Sequence, residues 1–153
     1  MTKAELAANY FEEGYNCAQS VLLAFCSETG LSQKEAAKLA SSFGGGIGKL
    51  REVCGAISGM LMALGIVDGY DAPDQPERKA AQYALVQRLA GQFKEKNGTI
   101  ICRELLSNVA HDDSTAVPQA RTQQYYQQRP CKKFVMDAAE ILEQEFSTKT
   151  QEP

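Results

Sequence analysis

No stretch of this chain approaches the roughly 18–20 consecutive apolar residues of a membrane helix. The longest, Ala56–Val67, is too short and carries Gly59 and Gly65. Excess positive charge is missing too: the formal net charge is -3 and the pI about 5.2. Without a basic face the chain lacks the means to neutralise nucleic-acid phosphates, and it offers no polybasic membrane signal. The first residues carry early acids and no apolar core, so no secretion signal is expected. No window alternates apolar and polar residues as a half-buried strand does, and no repeat of about 20–50 residues occurs. There is no C-x-x-C pair of the zinc-ribbon kind, and no C-x-x-C-H excludes a c-type haem. A nucleotide motif is absent as well. A Walker A loop would need glycine at 43 and Ser or Thr at 50, where the chain has Phe43 and Leu50. No strand precedes this glycine run, and Lys49 stands where a dinucleotide fingerprint needs its third glycine.

What is present is helix. With 153 residues, 44% apolar and 23% charged, the chain fits one compact domain, residues 1–153. The fold class expected is all-α, a bundle of about six helices with a glycine-rich loop before the central one. Residues 3–13 place Ala, Leu, Tyr and Phe at helical spacing, and Gly14 ends that run. Asn16 caps a helix from Cys17 to Cys26, and Thr29-Gly30 stops it. Ser32 with Glu35 forms a capping box for a helix to about Ser42. Gly44, Gly45, Gly46 and Gly48 follow, a run that permits backbone geometries closed to other residues. Further helices are expected over Glu52–Ile66, over Glu77–Lys96 with Tyr83, Leu85, Val86 and Leu89 inside, and over Ile100–Leu106 behind Thr99. Residues 107–129 are polar and read as a long loop or lid, with a helical turn near Tyr125 and Tyr126. Pro130 opens a final helix from Cys131 to about Phe146, and 147–153 is expected to be a disordered tail.

Five cysteines, an odd number with no export signal, point to a reducing, cytoplasmic setting in which permanent disulfides are the least expected use. Four of them share a local setting. Cys17 follows the cap Asn16, Cys102 follows Thr99 by three residues, Cys131 follows Pro130, and Cys54 comes just after the glycine run. A helix start has free N–H groups and a positive dipole end, which stabilise a thiolate. Lys49, Arg51, Arg103, Lys132 and Lys133 are near in sequence and act in the same direction. Cys26, nine residues after Cys17, falls about 180° around the helix and near its C-terminus, so it is a bystander. Gly55, Gly59 and Ala63 form a ridge of small residues that lets another helix approach closely. That approach would bring a second cysteine towards Cys54.

Cys17, a glycine-rich stretch into Cys54-Gly-Ala-x-x-Gly59, then Cys102 and Cys131, resembles the C_GCAxxG_C_C family of redox-active proteins. The resemblance spans roughly residues 5–145. It implies a small electron-transfer or redox protein in which Cys17, Cys54, Cys102 and Cys131 are the functional set, and it leaves Cys26 without a counterpart.

The residues thus point first to dithiol–disulfide redox, with Cys54 as the low-pKa attacking thiol and Cys17, Cys102 or Cys131 resolving, and with an unidentified redox partner. A second reading has Cys17, Cys54, Cys102 and Cys131 hold an iron–sulfur cluster or zinc. A third is a helical interaction module or homodimer that uses the small-residue ridge. The backbone at Gly44, Gly45, Gly46 and Gly48 is a candidate cradle for an anion, a sulfur cluster or a thiolate, although a structural turn is the commoner use of such a run. His111 is the single histidine, and any Cys–His chemistry would depend on its reaching Cys54 or Cys102.

Overall fold

The structure, a computed structural model, describes residues 1–151. Within them the chain is all-α, with no strand. Six helices of eight or more residues build the bundle: α1 (Lys3–Glu12), α2 (Cys17–Ala24), α4 (Gln33–Ala40), α5 (Gly55–Asp68), α6 (Pro76–Asn97) and α9 (Cys131–Gln151). The short helices α3 (Cys26–Thr29), α7 (Cys102–Leu105) and α8 (Gln123–Gln128) and a 3-10 turn at Ser41–Phe43 complete it. None of the helices is long and apolar enough to cross a membrane.

Three helix starts are set by reciprocal capping. Thr2 with Glu5, Asn16 with Gln19 and Ser32 with Glu35 each satisfy two backbone donors that a helix end leaves free. Gly30 and Gly98 close α3 and α6 in the left-handed conformation, at φ +77° and +90°.

The core is built around α2 and α9. Val21, Leu22, Leu23 and Phe25 are fully buried, together with Phe11, Ile57, Met60, Leu64, Phe93 and Leu142. Helix α2 packs on α1, α4, α5 and α9, and α9 packs on α1, α2, α5 and α6. Helices α2 and α5 approach one another at backbone distance. A methyl group on Gly59 would lie 2.4 Å from the Ala18 carbonyl oxygen, and one on Gly55 would lie 3.1 Å from the Ala18 nitrogen and 3.2 Å from Cys17 Cβ. The small-residue ridge is therefore filled by α2 of the same chain, and it is not available as a dimer face.

Four expectations need correction. Helix α2 stops at Ala24, because Phe25 leaves helical geometry at φ -110° and ψ 21°, so Cys26 begins a separate turn. Helix α7 starts at Cys102, and Thr99 serves the turn before it by accepting from Ile101 N at 3.1 Å. Tyr83 is 52% exposed, since the apolar face of α6 turns on Leu89 and Phe93. Helix α9 runs on through Gln151. Of the tail expected to be disordered, residues 147–151 are thus helical, and Glu152 and Pro153 lie outside the described residues.

Two substitutions test this packing. Gly59→Val should destabilise the fold by about 3 kcal/mol in urea unfolding, because backbone stands where its side chain must go. Gly91→Ala, where nothing lies within 4 Å of a new methyl, should stabilise it by about 0.5–1 kcal/mol through helix propensity.

Candidate functional site

Cys17 is the first residue of α2, Cys102 of α7 and Cys131 of α9, while Cys54 is the N-cap of α5. These four thiols, far apart in sequence, line one cavity of about 260 Å³. All five cysteines are free. Cys26 is elsewhere, near Lys3, Glu28 and Tyr10.

The convergence has three local causes. The close crossing of α2 on α5 brings the starts of those helices together, and with them Cys17 and Cys54. Next, residues 51–54 run antiparallel to 100–103. Val53 bridges Ile101, Cys54 N donates to Ile100 O at 2.8 Å, and Cys102 N donates to Glu52 O at 2.6 Å. Cys102 is thereby tied beside the start of α5. Third, Pro130 O accepts from Lys133 N and Phe134 N, which opens α9 at Cys131.

The glycine run is a left-handed turn. Gly45 to Lys49 are five consecutive residues at φ between +54° and +71°, and Arg51 follows at +61°. Ile47, Lys49 and Arg51 adopt this geometry without being glycine, at roughly 1–2 kcal/mol each. Gly44, Gly45, Gly46 and Gly48 all line the cavity. A methyl group on Gly44 would lie 2.6 Å from the Asn16 side chain, and one on Gly46 2.7 Å from Cys102 Cβ. The amides of Ile47, Lys49, Leu50, Arg51 and Glu52 donate to carbonyls within the turn, so those five are spent.

Three arginines face the thiols. Arg51 Nη1 is 3.7 Å from Cys102 Sγ, and its Nε pairs with Asp113 Oδ1 at 2.8 Å. Arg121 donates to the carbonyls of Phe11 and Tyr15, each at 3.0 Å, and its guanidinium sits 4.2 Å from the Phe11 ring centre. Arg129 is 8% exposed, lies over the Tyr125 ring and donates to Gln119 Oε1 at 2.7 Å. Residues 110–122 have no regular structure. They cross one side of the cavity, held by Lys49 Nζ to Thr115 O and Val117 O, by Arg51 to Asp113 and by Arg129 to Gln119. His111 Nε2 is 3.0 Å from Asp113 Oδ2. It reaches the thiols only through Asp113 and Arg51.

The four sulfurs are not equivalent. The Cys17 thiol hydrogen-bonds to Cys131, and together with the positive charges of Arg129 and Arg121 this lowers the Cys131 pKa to about 6 in spite of burial. Donating that bond and losing solvent push Cys17 well up. Burial pushes Cys54 up to about 12, more than its bonds from the Ala56 and Ile57 amides recover. Burial also raises Cys102, opposed by Arg51. The low-pKa thiol is thus Cys131, where helix-start placement alone pointed to Cys54. The cations differ from expectation as well. Arg51 faces Cys102, Arg103 pairs with Glu52, Lys132 with Glu12 and Lys133 with Asp137. Arg121 and Arg129, which do surround Cys131, lie in a stretch that matched no motif. The available signal was the sequence itself, two arginines framing Tyr125 and Tyr126.

Among the described residues no three His, Cys, Asp or Glu side chains are close enough together to hold one metal ion. The four cysteines ring the cavity in this arrangement.

Titrating the ultraviolet thiolate absorbance should give one ionisation with a midpoint near 6, shared by the Cys17–Cys131 pair. It should vanish in Cys131→Ser and move upward in Cys17→Ala, which removes the hydrogen-bond donor. Because this group is lowered, the anion is present above the midpoint and lost as the pH falls through it.

Comparisons with curated proteins and with solved structures gave no match. A family model described as "Putative redox-active protein (C_GCAxxG_C_C)" matches residues 15–145, a span that holds all four cavity cysteines. With most of its length matched, the chain belongs to the C_GCAxxG_C_C family.

Proposed function

We propose that this protein performs reversible dithiol–disulfide exchange, with Cys131 as the attacking thiolate and Cys17 as the resolving thiol. The observation that carries this reading is that Cys17 and Cys131 line one cavity with Cys54 and Cys102, where Cys17 is the strongest influence lowering the Cys131 pKa. Cys131 has what an attacking thiol needs: an ionised state near neutral pH, stabilised by cations, and a neighbour able to close a second bond. Its attack on a disulfide would leave a mixed disulfide. Cys17 would then displace the outgoing thiol and form a Cys17–Cys131 bond, so that two electrons leave the protein. Cys54 and Cys102, both raised by burial, stay as thiols through this step and make up a second pair on the same cavity wall.

Equilibration against a series of glutathione redox buffers, with peptide mapping, tests the reading. Two thiols, Cys17 and Cys131, should interconvert with a disulfide between about -350 and -150 mV, the span of structural and catalytic disulfides. Four thiols that show no change over that span would overturn it. So would anaerobically purified protein that carries iron or zinc on all four cysteines.

A further inference from the structure

We propose that the cavity binds a small disulfide bearing carboxylate groups, which Arg129 and Arg121 anchor beside Cys131. This rests on the exchange reading above and names its substrate class.

Arg129 is the first argument. It lines the cavity and is more than nine-tenths buried, and its Nε has no hydrogen-bond partner. Among the described residues no other buried side-chain nitrogen or oxygen is left this way. A buried charged donor without an acceptor is costly, and an anionic ligand oxygen in the cavity would satisfy it with a charge-assisted bond.

Charge is the second. Arg51 is neutralised by Asp113, but neither Arg121 nor Arg129 has an ion-pair partner among the described residues. Against the one anion at Cys131, two guanidinium groups leave net positive charge facing the cavity. A cationic or neutral disulfide gains nothing from that field, whereas a carboxylate does.

Size is the third. A volume of about 260 Å³ lies just under the range of drug-sized ligand pockets, roughly 300–1,000 Å³, and suits a small molecule. Residues 110–122 cross one side and narrow the way in.

The step balances within the site. The Cys131 sulfur attacks one sulfur of the disulfide, whose S–S bond breaks, and one carboxylate-bearing thiolate leaves. The Cys17 thiol gives up its proton and attacks the Cys131 sulfur, and the second substrate thiolate leaves with that proton. Two electrons pass to the substrate, giving one small thiolate, one small thiol and one Cys17–Cys131 disulfide.

The test follows single-turnover oxidation of the reduced full chain by three disulfides of similar size: dithiodiacetate, hydroxyethyl disulfide and cystamine, which are anionic, neutral and cationic. Dithiodiacetate should react about tenfold or more faster than the neutral compound, with cystamine slowest. Arg129→Gln should lower the anionic-to-neutral rate ratio by about fivefold or more; because the same thiolate attacks both, its own reactivity cancels in that ratio. Equal rates for the three compounds with the unmodified chain, or cystamine fastest, would overturn the substrate class and leave exchange standing. No reaction with any of them would overturn the exchange reading beneath it. The series on the unmodified chain decides the question even where the variant does not fold.

Discussion

The crossing of α2 on α5 at backbone distance is the constraint on which the site depends. Two helices can approach this closely only where one of them presents hydrogen atoms in place of side chains, and Gly55 and Gly59 present them to Ala18. Cys17 stands next to Ala18 in sequence and Cys54 next to Gly55, so the contact that buries the ridge also brings two sulfurs to one place. The antiparallel pairing of 51–54 with 100–103 adds Cys102, and the packing of α9 across α1, α2 and α5 adds Cys131. Thiols spread over 115 positions of chain thus meet through backbone geometry, with no covalent link between them.

Once gathered, the sulfurs are sorted by burial and by charge. Loss of water favours the neutral thiol, and it prevails at Cys54, where two helix amides do not offset it. At Cys131 the balance goes the other way, because a hydrogen-bond donor and two guanidinium groups act together on one anion. The arginines in turn depend on aromatic faces and main-chain carbonyls. Arg121 lies against Phe11 and Tyr125, and Arg129 against Tyr125. The stretch from Arg121 to Arg129, which includes the short helix α8, therefore sets the charge that faces Cys131.

Much of this could be read in the sequence. The caps Asn16 and Ser32, the stop at Gly30 and the ridge at Gly55 and Gly59 act through local geometry, and local geometry is what a residue string encodes. Cys26 could be set aside because its position along the chain already separated it from Cys17. Which thiol has its pKa lowered was not legible. Helix-start placement is common to all four cysteines, and burial and long-range charge, which distinguish them, exist only after folding. For the same reason Lys132 and Lys133, adjacent in sequence to Cys131, turn out to be paired with Glu12 and Asp137, while Arg121, ten positions upstream, acts on that sulfur. Tyr83 was misplaced because α6 rests its apolar stripe on Leu89 and Phe93 and leaves the opposite side to solvent.

The turn at Gly45–Lys49 winds in the sense opposite to every helix around it. A right-handed helix cannot grow through a left-handed one, so this turn is a barrier in both directions: the helix before it cannot lengthen forward, and α5 cannot reach back past Arg51. Cys54 lies in the short interval between that barrier and α5, its amide spent on Ile100 O, and it stays the boundary residue of α5. Handedness bounds how far back the helix can extend, and one hydrogen bond across the chain decides where inside that bound it starts.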